Sequence, residues 1–97
     1  MSLNVFTEDR RLSILLVLSE SPQYSANAFL VQTAVGSIYG HNVSLDVLRT
    51  DLAWLAEQGL VQAKTTGDVV VATLTARGVD VAAGRAVQPG VKRPLPS

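Results

Sequence analysis

The chain has 97 residues, 47% of them hydrophobic and 16% charged, which suffices for one small domain with a modest core and excludes a disordered chain. It contains no cysteine, so disulfides and thiolate metal sites are excluded. Eight Lys and Arg balance eight Asp and Glu, and the chain as a whole therefore lacks the basic excess on which non-specific phosphate binding rests.

Acids and arginines precede the first apolar run, ILLVL at 14–18, which is far too short to span a bilayer. A soluble, cytoplasmic protein without a membrane partner is expected. The first helix is predicted from Thr7 to about Ser19. Thr7 is a good cap, and Glu8 and Asp9 fall where the helix dipole favours acids. Leu12, Leu15 and Leu16 mark its inner face, while Ile14, Val17 and Leu18 spread apolar surface around it. A helix apolar on nearly all sides is covered on more than one, so part of this surface is expected to meet a second subunit. Pro22 ends the element. A second helix is predicted from about Ser25 or Asn27 to Tyr39, with Leu30, Val31, Ala34, Val35 and Ile38 at helical spacing. Gly40, His41 and Asn42 form a short turn.

The third helix has both ends written into its residues. Ser44 can cap it, Asp46 adds negative charge to its first turn, and Gly59 can adopt the left-handed conformation that ends a helix, with Leu60 folding back on Leu55. Leu45, Leu48, Leu52 and Leu55 form one buried stripe. After Gly59 the period changes to two. Val61–Thr65 and Val69–Leu74 are rich in β-branched residues and are separated by Thr66, Gly67 and Asp68, which predicts a hairpin over 61–74. Thr75 caps a fourth helix reaching about Ala86, weakened by Gly78 and Gly84. One domain is expected over 1–86, with VQPGVKRPLPS at 87–97 as an extended or disordered tail.

Helix, helix, short turn, helix, hairpin and helix is the order of a winged helix-turn-helix domain, mainly α with a small β-hairpin. The text VSLDVLRTDLAWLAEQGLV resembles bacterial winged-helix repressors, which carry Arg-x-Asp-Leu followed by aliphatic residues and Gly; the matching positions are Arg49, Asp51, Leu52, Leu55, Gly59 and Leu60. RRLSILLVLSESP, the hairpin followed by LTARG, and the tail with VKRP make the whole chain similar to the small winged-helix proteins of Mu-like prophages, often labelled ArsR-type. That resemblance implies the fold more than the function. The metal-sensing cysteines of ArsR proteins are absent, so metal sensing is not implied.

On a 100° wheel, Asp46, Thr50, Ala53 and Glu57 lie opposite the leucine stripe, with Arg49 on one flank and Val47 and Trp54 on the other. In a major groove, Arg49 can bond guanine or phosphate, Thr50 a thymine methyl or phosphate, and Asp46 cytosine. The candidate contacts to double-stranded DNA are Ser44, Asp46, Arg49, Thr50 and Ala53, with Lys64 and Thr66 from the wing. The alternative is an ordinary solvated face with Arg49 paired to a carboxylate. Asp46, Asp51 and Glu57 make the helix acidic, so compensating charge has to come from Lys64, from Arg10 and Arg11, or from Lys92 and Arg93. Trp54 is expected to pack under the wing or against a partner subunit rather than to stack on bases. His41 is expected to be a turn residue, near phosphate if DNA binds. Asp46 and Glu57 are about three turns apart, too far to act on one bond, and no phosphate loop or nucleophile with a base appears. No cofactor, small-molecule ligand or enzymatic activity is expected. Two functions remain open: a homodimeric DNA-binding phage regulator joined through its first and fourth helices, and a winged-helix protein-interaction module.

Overall fold

A computed structural model describes residues 2–94; Met1 and the last tail residues, 95–97, lie outside the described residues. The elements are α1 (Ser2–Ser19), a short 3-10 turn (Pro22–Tyr24), β1 (Ser25–Asn27), α2 (Ala28–Tyr39), α3 (Leu45–Glu57), β2 (Val61–Thr66), β3 (Val69–Leu74) and α4 (Ala76–Ala82). α1 starts at Ser2 rather than at a Thr7 cap, because no residue from Ser2 to Ser19 breaks a helix; Glu8 and Asp9 consequently lie inside it.

The apolar girdle of α1 is met within the chain. Leu12, Ile14, Leu15 and Leu18 are buried, and α2, α4 and β3 pack around the helix. These four residues are covered within the chain itself. Val5 and Phe6, near the start of α1, stand exposed. Asn27 caps α2 by accepting from the Leu30 N–H at 2.8 Å. This helix buries only its Ala28, Val31 and Val35 edge, leaving Leu30 and Ile38 outside.

The sheet has three strands, not the two of a bare hairpin. Its order is β1-β3-β2, all antiparallel. Ser25 stands opposite Thr73, Ala26 opposite Ala72 and Asn27 opposite Val71, with the Ser25 and Thr73 hydroxyls 2.9 Å apart. Three residues are too few to display a period of two, so β1 had read as the start of a helix. The chain reaches it through Gln23 and Tyr24, both left-handed at φ 57° and 59°.

α4 stops at Ala82, short of the predicted Ala86. Thr75 fastens its start: the hydroxyl accepts from the Gly78 N–H at 3.0 Å and donates to the Gly59 carbonyl at 2.7 Å. Gly78 is required for contact rather than being a flaw in the helix, since a Cβ there would lie 2.1 Å from the Leu60 carbonyl oxygen. The tail from Val87 to Pro94 is docked and turns at Pro89–Gly90, where the Val91 N–H donates to the Gln88 carbonyl at 3.0 Å. Val91 is buried, and the Lys92 N–H donates to the Glu8 carbonyl at 3.2 Å.

A buried ion pair joins α1 to α3. The Asp51 side chain is only 4% exposed and accepts from Arg10 through Nε and, at 3.2 Å, through Nη2; Arg11 Nε lies 3.8 Å away. Asp51 therefore does not belong to the acidic outer surface of the third helix, and Arg10 and Arg11 are not free to compensate a phosphate-binding face. Replacing Asp51 by Asn leaves this arginine charge unmatched and should lower the unfolding free energy by about 3 kcal/mol, read as a lower urea midpoint at unchanged slope. Gly78→Ala should cost about 2 kcal/mol by overpacking; a midpoint equal to that of the wild type would show that α4 can retreat from Leu60 freely.

Candidate nucleic-acid interface

α3 is held at both ends as its residues dictate. The Ser44 hydroxyl accepts from the Val47 N–H at 3.1 Å, and at the other end Gly59 has φ 76° while the Leu60 N–H reaches the Leu55 carbonyl at 3.0 Å. Leu48, Asp51, Leu52 and Leu55 point inward. Asp46, Arg49, Thr50, Ala53 and Glu57 are exposed, on the side where the helical wheel puts them. Ser44 is occupied as a cap, and Thr50 donates to the Asp46 carbonyl at 3.0 Å. Both hydroxyls thus have local work.

Arg49 ties the helix to the wing. Its Nη2 donates to the carbonyl of Asp68 at 3.0 Å, so its partner at the hairpin tip is backbone rather than the carboxylate of the alternative reading. The tip is the two-residue loop Gly67–Asp68 between the paired Thr66 and Val69, with Gly67 at φ 60°. Lys64 stands opposite Val71 and Thr66 opposite Val69, both exposed. Side chains alternate along a strand, and Val61 with its partner Leu74 faces the core. Lys64 and Thr66 therefore leave the opposite face of the sheet. The predicted residues fall into two groups, one on α3 and one on the back of the wing, with Arg49 bridging to the tip.

Four residues overlooked in the sequence border this site. Phe29, Leu45, Val69 and Val70, with Arg49 and Asp68, line a pocket of about 120 Å³ between α2, α3 and the wing. Spacing marks Leu45 and the Val69–Val70 pair only as parts of their own elements, and their meeting with Phe29 depends on how three separate elements pack. Trp54 packs within the chain, against Arg11 and the tail. The Arg11 guanidinium lies 3.8 Å above its ring, Arg11 Nη1 donates to the Gly90 carbonyl at 3.0 Å, and Gly90 packs against the indole so closely that a Cβ would lie 2.7 Å from it.

His41 is a turn residue, but it faces Asp9 rather than an outer surface: its Nε2 lies 2.6 Å from Asp9 Oδ2, and Lys92 Nζ lies 3.2 Å from Oδ1. Partial burial raises the pKa of Asp9, but the hydrogen bonds from His41 and Lys92, and their charges, outweigh it and hold the carboxyl below its usual value. Among the described residues, no group of three or more His, Cys, Asp and Glu is placed to hold a metal ion. Among the described residues, no helix is long and apolar enough to cross a membrane.

A helical core with a capped third helix and an adjoining hairpin wing defines this as a winged helix-turn-helix protein. The chain belongs to the family of gp26 of Escherichia phage Mu, with which it is 50% identical over 93 residues, covering 96% of this chain and 95% of gp26. A protein of Haemophilus influenzae is 42% identical over 74 residues, 75% of this chain and 71% of that one. Both relatives are described only as uncharacterized proteins. No protein-family model matches the chain. Among solved structures, RosR of H. salinarum grown from NaBr superposes with a TM-score of 0.68 at 24% identity, covering 76% of this chain and 66% of RosR. The hsRosR-S1 complex gives 0.66 at 24% identity, covering 75% and 63%. This chain therefore spans less than two thirds of the RosR chains, and the likeness is one of fold.

The lowered pKa of Asp9 sets a direction with pH. Its contribution to stability is complete above the ordinary carboxylate range and is lost as pH falls through its own lower value. Wild type should melt above Asp9→Asn at neutral pH, and the two melting temperatures should converge on acidification. A gap that persists at the lowest pH would assign the effect to shape rather than charge.

Proposed function

We propose that this chain is a cytoplasmic, double-stranded-DNA-binding transcription regulator of a phage or prophage, presenting α3 to the major groove and β2–β3 as a wing. It is proposed to act by binding, without catalysis. The observation that carries this reading is the exposed outer side of α3 beside a wing to which Arg49 is bonded. A helix and a hairpin side by side have the dimensions to enter a groove and to follow the adjacent backbone. In this reading Arg49 addresses a base edge or phosphate, Asp46, Thr50 and Ala53 line the groove, the Ser44 end of α3 lies near the backbone, and Lys64 and Thr66 meet phosphate from the wing. Kinship with phage Mu gp26 supports the phage context.

One observation favours a second reading, in which the same surface binds a protein. Arg10 and Arg11 are committed to Asp51, Arg85 to Asp80 and Lys92 to Asp9. Of the other four, Arg77 donates to the Gln88 side-chain oxygen at 2.8 Å and Arg93 is exposed on the tail, while Arg49 and Lys64 face Asp46, Glu57 and Asp68 around α3 and the wing. A surface of that balance attracts phosphate weakly.

Binding to DNA fragments from the chain's own genomic neighbourhood, measured at rising salt, separates the two. Specific binding should weaken by about 1–3 kcal/mol in Arg49→Ala, and Lys64→Ala should reduce the salt slope by about one. Absence of binding to every fragment at low salt, together with a stable protein complex that buries α3, would replace the first reading by the second.

A further inference from the structure

We propose that the outer face of α2 is the seam of a homodimer, in which two copies of this chain meet α2 against α2. The starting observation is charge. From Ser21 to Leu45 the sequence contains no Asp, Glu, Lys or Arg, and α2 lies wholly within that stretch. An exposed helix ordinarily turns charged residues to water. Here the outer side consists of Phe29, Leu30 and Ile38, which are 63%, 56% and 67% exposed, with Thr33, Ala34 and Ser37 between them. The Thr33 hydroxyl is bonded to its own helix, at 3.0 Å from the Phe29 carbonyl, and so adds little polarity.

This chemistry selects the occupant. A face without cations has nothing to offer phosphate, and a face without charge of either sign offers a charged partner no complement. A second copy of the same neutral face meets no like-charge repulsion, and an isologous contact needs only self-complementarity. The shape meets that need. Phe29, Thr33 and Ser37 form one i, i+4 row and Leu30, Ala34 and Ile38 another, which are the ridges that interdigitate when two helices cross at about −50°. Large side chains at the two ends and small ones between them let the axes approach near Thr33 and Ala34. The area is sufficient for a reversible dimer. The exposed part of these six residues is roughly 500 Å² per chain, or at most about 1,000 Å² for the pair, the size of a weak, reversible contact.

The seam gives a role to the apolar side chains of α2 that the fold leaves outside. It adjoins the α3 site at Phe29, which lines the pocket beside Arg49. It does not rest on DNA binding, and its test contains no DNA.

Sedimentation of the full chain over a concentration series reaching the millimolar range should show reversible dimerisation. Leu30→Glu and Ile38→Glu each alter an exposed residue at opposite ends of the seam, and circular dichroism would verify that the helices are retained. Each should weaken association at least about tenfold, whereas Phe6→Glu on α1 should leave it unchanged. A wild-type chain that stays monomeric throughout would overturn the proposal. So would a dimer weakened by Phe6→Glu and indifferent to both α2 variants.

Discussion

The carboxylate of Asp51, held almost out of water between two arginines of α1, is the constraint on which the rest of the molecule depends. Isolating an ion from water costs several kcal/mol, so an arrangement like this persists only where its geometry satisfies most of what burial removes. Arg10 supplies a two-point grip. Arg11 approaches the same carboxylate and continues across the face of Trp54 to the Gly90 carbonyl. One acidic residue on α3 thereby sets the placement of α1 against α3 and, through Arg11, brings the tail back over the indole. Leu48, Leu52 and Leu55 supply apolar burial on the same side of α3. Apolar contact is not directional; the ion pair is, and it ties Arg10 and Arg11 of α1 to Asp51 of α3 at one defined point.

The same pairing shapes the outer surface of α3. Because Asp51 turns inward, the helix is less acidic outside than its composition suggests; because Arg10 and Arg11 follow it, the surface is also poorer in cations. Arg49 and Lys64 remain, one bonded to the wing tip and the other on the back of the sheet. A groove-binding reading therefore relies on the shape of the helix and wing and on a few directed contacts, with little help from long-range attraction. Two copies joined through α2 would relieve part of this shortage, since the second interface acts at an effective concentration set by the first.

Asp9 is a second junction, smaller and more exposed. It joins the middle of α1 to the turn before α3 through His41 and to the tail through Lys92. Together, Asp9 and Asp51 explain why a proline-containing segment with no secondary structure of its own lies ordered from Val87 to Pro94. It is held at Gly90 by Arg11 and at Lys92 by Glu8 and Asp9, with Val91 buried between them.

The features legible in the sequence are those written in neighbouring residues. Ser44, Gly59 and Thr75 announce helix ends because caps are local, and the leucine stripe of α3 and the hairpin beyond it follow from periods of 3.6 and 2. That local text determined the winged-helix order and the outward set Asp46, Arg49, Thr50 and Ala53. The tertiary structure decided what no period records. It paired Ser25–Asn27 with β3, forty-odd residues away, turned Asp51 from an outer acid into a buried anchor, and covered Leu12, Ile14, Leu15 and Leu18 of α1 while leaving Phe29, Leu30 and Ile38 of α2 exposed. It also turned Lys64 and Thr66 to the face of the wing opposite the core-facing Val61 and Leu74. Each of these depends on which distant side chain arrives at a given face, and a helix apolar all round, or an acid one step off a stripe, is compatible with several arrivals until packing and charge pairing select one.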